Sequence, residues 1–200
     1  MNRVAVIGAG SVGRAVGGGL ARTGVPVVFG VRNPKDPRHG DLGAVETPVA
    51  ACAGADLVLL AVPADAVPEA VPALGLGAGQ VLVDTTNAVR MAVPGGHATM
   101  ADLVASLVPN GVAVVKAFST IGAEHLGDGL IDGQRAFMPI AGDEAGVAAV
   151  VPLAQSLGLD AVPLGGRDAY ALVEAHARLW IHLAFVCGWG RQFGFVVAGR

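Results

Sequence analysis

Charge, aromatic residues and cysteine are all scarce in this chain. Of its 200 residues, 14% are charged and 4% aromatic, and 13 Lys and Arg against 16 Asp and Glu leave a formal net charge of −3. Without a basic run, that balance gives no electrostatic footprint for nucleic acid or an anionic membrane, so neither is expected as a partner. The two cysteines, Cys52 and Cys187, lie far apart with no CxxC or His-Cys spacing. They suggest neither a disulfide framework nor a zinc site, and a reducing cytoplasm is the expected compartment. Long apolar runs are missing too. The stretch LWIHLAFVCGWG (179–190) is too short for a bilayer, is flanked by Arg178 and Arg191 with His182 inside, and reads as a buried helix. What the chain does have is 53% hydrophobic residues and 30 glycines, a composition that suits a sheet covered by helices.

Short β-branched runs recur at 4–8, 25–30, 56–63, 80–87, 112–118, 136–142 and 159–165. They are continuously apolar rather than alternating, as strands covered on both faces should be. Alanine-rich stretches between them predict helices at 11–23, 47–54, 65–73, 99–108, 144–157 and 168–190. This βα alternation predicts an α/β fold, a doubly wound parallel (Rossmann) sheet with a small carboxy-terminal helical extension. Residues 1–142 would form the nucleotide-binding domain, and 143–200 a smaller part that completes a substrate cleft and supplies dimer contacts. Irregular segments are expected at 33–43 and 88–98, the second where open α/β sheets bring loops to ligands.

The opening segment RVAVIGAGSVGRAVGGGLARTG (3–24) could in principle be a secretory signal or a strand feeding a phosphate-binding turn. Glycines at 8, 10, 13, 17, 18 and 19, together with Arg14, break the apolar segment a signal would need. The same glycines fit the other reading. Gly8, Gly10 and Gly13 form GxGxxG between a strand and a helix: one for a tight turn, one for backbone approach to a pyrophosphate, one for helix-on-strand packing. The turn from Gly8 through Ala9, Gly10, Ser11 and Val12 to Gly13 would then offer first-turn amides to phosphates. At the end of the second strand, FGVRNP places Arg32 where an NAD enzyme carries a ribose-binding acid. A guanidinium there pairs with a 2′-phosphate, with Asn33 adding a donor, or is simply a solvated loop charge; the first reading favours NADP(H). Asp36 lies too far along to serve as the ribose acid.

With these residues in hand, the sequence resembles the family of NADP-dependent coenzyme F420 oxidoreductases and related dinucleotide-binding reductases. Besides GAGSVG and VRN, the resemblance rests on AVP (61–63), DTTNAV (84–89), VVKAFSTIGAEHL (114–126), PIAGDE (139–144) and LVEAHARLWIHLAFVCGWGRQFGF (172–195). The chain is also similar to the cytoplasmic reductase domain of membrane ferric reductases. The resemblance implies hydride transfer between NADPH and a 5-deazaflavin, coenzyme F420, with the two rings stacked in a cleft. It puts Val62 and Pro63 along the path from adenosine to nicotinamide, and Asn87 and Ala88 near the nicotinamide ribose. Ser119, Thr120, Ile121, Gly122 and Ala123 would line the ring-stacking site.

Hydride transfer between stacked rings depends on distance and alignment more than on a protein acid, so no catalytic residue is expected. Lys116 reads as a structural strand-end lysine and His125 as an ordinary surface or core histidine. His176 and His182 lack the i, i+4 spacing of a metal pair, and no metal is expected. Glu174 and Arg178 have that spacing and predict an exposed ion pair. Trp180 and Trp189 suggest core or subunit interface, and the apolar late helix suggests a homodimer. Two enzyme readings stand beside the first, NADPH-dependent reduction of a free flavin or of a small carbonyl or imine. An NADP(H)-sensing module without turnover is the reading from another class.

Overall fold

The computed structural model describes residues 3–89 and 91–199. Its sheet follows β1 (Val4–Ile7), β2 (Val27–Gly30), β3 (Ala44–Glu46), β4 (Leu57–Leu60), β5 (Val81–Asp84), β6 (Ala113–Lys116), β9 (Phe137–Gly142) and β10 (Asp160–Gly165), in the spatial order β10-β9-β6-β5-β4-β1-β2-β3. The reversal beside β1 is the topological signature of a doubly wound sheet. Two-residue strands β7 (Leu130–Ile131) and β8 (Gln134–Arg135) form a separate hairpin. The helices are α1 (Ser11–Arg22), α2 (Pro48–Cys52), α3 (Val67–Ala70), α4 (Met100–Leu107), α5 (Glu144–Ser156) and α6 (Tyr170–Ile181).

Alternation along each strand explains the two layers. In β1, Val4 and Val6 pack with Val16, Leu20, Phe29 and Leu153 on the face covered by α1 and α5. Ala5 and Ile7 pack with Val67, Leu74, Met100, Val104 and Val173 on the face covered by α2, α3, α4 and α6. Burying such aliphatic side chains contributes about 1.5–3 kcal/mol each, which is why neither face tolerates polar residues in mid-strand. Local signals fix where helices start. Thr47 accepts the Ala50 amide ahead of Pro48, and Thr99 exchanges hydrogen bonds with Asp102 at the head of α4.

All seven apolar runs of the sequence form strands of this sheet. It is parallel except at one junction, where β9 runs antiparallel to β6 with Val115 opposite Gly142 and Lys116 opposite Ala141. Asp143 holds that junction: its carboxylate accepts the Val114 amide at 2.8 Å and the Arg167 guanidinium at 2.7 and 2.8 Å, which keeps the Asp143 carboxyl below its usual range. Because only the end of β9 pairs with the end of β6, Phe137 at its start projects beyond the carboxyl ends of the parallel strands. The carboxy-terminal part adds β10 to the sheet as well as helices.

Two expectations need correction. The helix predicted over 168–190 ends at Ile181 and continues only as a π-helical turn, His182–Val186, before Gly188 and Gly190 turn the chain with φ of 74° and 76°. The stretch is not buried as a whole: Trp180 is, whereas Phe185 is 57% and Trp189 63% exposed. The loop at 88–98 is irregular as expected, with Arg90 outside the described residues. Among the described residues, no helix is long and apolar enough to cross a membrane.

Candidate functional site

The carboxyl ends of β1, β2, β4, β5 and β6 lie on one side of the sheet, since these strands are mutually parallel. After β1 the chain turns at Gly8, whose φ of 105° suits glycine and where a Cβ would come within 2.3 Å of the Ala61 carbonyl oxygen. At Gly13 a Cβ would meet the Gly8 carbonyl oxygen at 2.1 Å. Both glycines are therefore demanded by packing. Gly10 is different: its φ of −77° is ordinary, and a Cβ there meets nothing within 4 Å. Gly10 precedes α1 with no side-chain cap and no acidic residue in the first turn, so no side chain caps the first-turn amides of Ser11, Val12 and Gly13. An open, uncapped helix start of this kind suits a phosphate.

Beside this turn, Arg32 follows β2, exposed, and its side chain has no hydrogen bond or ion pair among the described residues. Asn33 is exposed next to it. Asp36 is engaged elsewhere: it accepts the Arg38 amide at 3.0 Å and pairs with the Arg38 guanidinium at 2.6 Å, which pulls its pKa down to about 2. This segment is tied to the glycine turn by Arg14, which donates to the Ala9 carbonyl at 3.0 Å, to both Asp41 carboxylate oxygens at 2.9 and 2.7 Å, and to the Arg38 carbonyl at 2.5 Å. Sequence reading used Arg14 only as evidence against a signal peptide and missed this tether. An arginine one residue past GxGxxG, opposite an acid-containing loop, was the available signal.

Val62, half-buried, and Pro63, exposed, follow β4 next to the Ala61 carbonyl that contacts the glycine turn. Beyond β5, half-buried Asn87 donates its side-chain amide to the Ser119 carbonyl at 2.9 Å, with Ala88 following it. Expected positions from two loops, 84–89 and 119–123, are thus brought into direct contact. Just before Ser119, Phe118 is buried with a φ of 56°. A non-glycine residue in that left-handed region costs on the order of 1–3 kcal/mol and is characteristic of ligand-facing turns. The Ser119 hydroxyl is buried with no hydrogen-bond partner among the described residues, and Thr120 Oγ1 lies 3.6 Å from Met138 Sδ.

Residues 121–123 are covered from the carboxy-terminal side. A Cβ at Gly122 would meet Glu124 Oε2 at 2.5 Å, the Arg191 carbonyl at 3.0 Å and the Trp180 ring at 3.2 Å. Ile121 and Ala123 are buried in the core face that includes Leu126. The covering segment is anchored by the Trp180 indole N–H to the Phe193 carbonyl at 2.9 Å, the Phe137 amide to the Phe195 carbonyl at 2.8 Å, and an Arg191–Glu124 ion pair at 2.8 Å. His176 sits edge-on between Phe137 and Phe195, and burial lowers its pKa.

Glu174 does not form the exposed pair with Arg178 that its spacing predicts. It is buried and reaches Lys116 at 3.1 Å instead, because the Lys116 ammonium and two unpaired amides of α4 lie within its reach. Lys116 itself is fully buried, in keeping with a structural lysine. His125 Nδ1 lies 3.2 Å from the Leu130 carbonyl. Among the described residues no group of three His, Cys, Asp or Glu is placed to hold a metal. A hollow of about 440 Å³ lined by Cys52, Asp56, Gly75 and Gln80 opens at the opposite, amino ends of β4 and β5. The Gln80 side-chain amide is spent there on the Cys52 and Ala55 carbonyls, and burial pushes the Cys52 thiol up to about 11, so it offers no reactive group.

Comparison with known proteins bears on this geometry. The family model for NADP oxidoreductase, coenzyme F420-dependent, matches residues 3–88. A protein of Arthrobacter sp. FB24 assigned as an F420-dependent NADP reductase is 28% identical, with 98% of this chain covering 99% of that one at a TM-score of 0.84. The hypothetical protein SMa0349 of Sinorhizobium meliloti is 30% identical over 83% of this chain and 86% of its own, at a TM-score of 0.72. The rat metalloreductase STEAP3 is 29% identical over 176 residues, 86% of this chain; the chain spans only 36% of that relative's length.

Proposed function

The chain belongs to the coenzyme F420-dependent NADP oxidoreductase family, and we propose that it moves hydride between NADP(H) and a deazaflavin of the F420 type. The observation that carries this reading is the uncapped start of α1 beside Gly10, with an unengaged Arg32 at the end of the neighbouring strand. An NADP(H) molecule fits these groups. The amides of Ser11, Val12 and Gly13 would take the pyrophosphate, with Gly8, Ala9 and Gly10 giving the backbone close approach. Arg32 and Asn33 would take the 2′-phosphate, which an acid at this position would repel. Val62 and Pro63 would flank the path to the nicotinamide, and Asn87 with Ala88 would hold its ribose. When bound, NADPH supplies the hydride.

The remaining residues position and shield. Ser119, Thr120, Ile121, Gly122 and Ala123 would line the acceptor side, where the orphaned Ser119 hydroxyl is free to meet a polar edge of either ring. The segment over Gly122 would exclude water from that side. No protein proton donor is needed for transfer between two rings.

The likeness to a metalloreductase supports a second reading with an acceptor other than a deazaflavin, for which the free flavin weighed from the sequence is the candidate. Purified protein mixed with NADPH and a panel of deazaflavin, flavin, carbonyl and imine acceptors separates these readings. Fastest turnover with the deazaflavin is expected; preference for the flavin selects the second, carbonyl or imine turnover moves the assignment to that chemistry, and binding without any turnover favours a sensor.

A cytoplasmic homodimer with a Rossmann part at 1–142 and a cleft-completing part at 143–200 belongs to the same proposal. Leu179, Phe185, Val186 and Trp189 are 49%, 57%, 71% and 63% exposed, an apolar surface that a second copy would cover. Sedimentation should give the mass of two chains, and a single-chain mass at tens of micromolar would contradict it.

A further inference from the structure

The last residues of β5 and β6 carry opposite charges in register, Asp84 beside Lys116, at the carboxyl ends of two strands that are otherwise apolar. Both side chains are fully buried. The Lys116 ammonium donates to Asp84 Oδ2 at 2.8 Å, to the Thr86 carbonyl, and lies 3.1 Å from Glu174 Oε1. Two of the ammonium's three donors are thus spent on hydrogen bonds within the protein, and the buried group also faces the Glu174 carboxylate as an ion pair. The other Asp84 oxygen accepts the Thr86 amide at 2.8 Å and the Thr86 hydroxyl at 2.7 Å. Thr86 is thereby gripped at its amide, its carbonyl and its side chain. Glu174 brings α6 into the cluster and also accepts the Met100 and Ala101 amides at 2.8 and 3.3 Å.

A buried ion cluster is a poor device for stability alone, because desolvating the charges offsets most of their attraction. The location of this one suggests a different use. One residue past Thr86 stands Asn87, whose amide fixes the Ser119 carbonyl and so the turn that carries the unpartnered Ser119 hydroxyl. We propose that Lys116, braced by Asp84 and Glu174, is a positioning residue for the nicotinamide end of the site. By holding the Thr86 carbonyl it sets the angle at which Asn87 and the Ser119 turn meet the nicotinamide ribose and ring. The proposal rests on the NADP(H) reading above.

The test compares two ligands that share the adenosine 2′-phosphate and pyrophosphate: NADPH, and 2′-phospho-ADP, which lacks both the nicotinamide ribose and the nicotinamide ring. Calorimetry gives the ratio of their affinities, a readout that general loosening of the fold would not move. Lys116→Met should lower that ratio about fivefold or more, with 2′-phospho-ADP affinity kept within about twofold. Should Lys116→Met fail to fold with two carboxylates left buried, Asp84→Asn, which keeps the shape and removes one charge, carries the same decision. An unchanged ratio, with both ligands weakened together or neither affected, overturns the positioning role. A wild-type chain that binds neither ligand overturns the NADP(H) reading itself and the proposal with it.

Discussion

Arg14 and Asp41 form a two-pronged ion pair, with the arginine Nη1 2.9 and 2.7 Å from the two carboxylate oxygens. That contact joins the first helix, immediately after the glycine turn, to the loop that follows the second strand. The same guanidinium also holds the Ala9 carbonyl, so one side chain ties the glycine turn to the loop that follows β2. The pairing keeps the Asp41 carboxyl below its usual range, so the contact stays intact through neutral pH and is lost only in acid.

Cofactor choice follows from this tether. NADPH should bind about tenfold or more tightly than NADH, and Arg32→Ala should erase most of that gap. Asp41→Ala leaves Arg32 in place but unties the loop, and should narrow the gap by about threefold with little change in melting temperature. Titration of both cofactors against the three proteins checks this; equal affinities in the wild type contradict it.

The glycines of the turn should separate binding from stability. Gly13→Ala drives a methyl group against the Gly8 carbonyl at 2.1 Å and should destabilise the fold by about 1–3 kcal/mol. Gly10→Ala has room for its methyl group and should melt like the wild type, yet lose NADPH affinity about tenfold because the methyl occupies the space a pyrophosphate needs. Thermal melts read beside cofactor titrations distinguish the two, and normal NADPH binding by Gly10→Ala would place the phosphates elsewhere.

His176 predicts a pH dependence of stability, through the packing of its ring between Phe137 and Phe195. Burial between Phe137 and Phe195 lowers its pKa from 6.5, so the folded state favours the neutral ring and the unfolded state binds the proton more readily. Its contribution is complete above about pH 6.5 and declines as pH falls toward the depressed folded value, by no more than about 1.4 kcal/mol per pH unit for one proton. Urea unfolding at pH 7.5 and 5.5 should show the loss, and His176→Leu should reduce it. An identical pH response in that variant would remove His176 from the account.

The parts legible in the sequence are those with local causes. A strand, three glycines and a helix sit within one short stretch, so the turn from Gly8 to Gly13 could be read from spacing, and each apolar run marked a strand covered on both faces. Ala44–Glu46 escaped because a three-residue edge strand, largely outside the core, leaves no periodicity to detect. The β7–β8 hairpin escaped for its shortness, although Asp132-Gly133 between two pairs was a turn signal. Glu174 was misread for a different reason. Its i, i+4 neighbour Arg178 is a local partner, whereas the stronger claims of Lys116 and the α4 amides come from residues 58, 74 and 73 positions away, and spacing along a helix carries nothing about them. The signal that was available lay in the strands: VLVD and AVVK each end an apolar run on a charge, and the two charges are of opposite sign.

The central claim is direct hydride transfer from NADPH to a deazaflavin ring across the Asn87 and Ser119 turn. Its most direct measurement mixes the purified chain with oxidised deazaflavin and NADPH carrying deuterium at both nicotinamide C4 positions, and weighs the reduced acceptor by mass spectrometry. The account predicts one deuterium per reduced deazaflavin, with the label retained in ordinary water. A reduced deazaflavin without deuterium, or no NADPH oxidation by the deazaflavin at all, would contradict it.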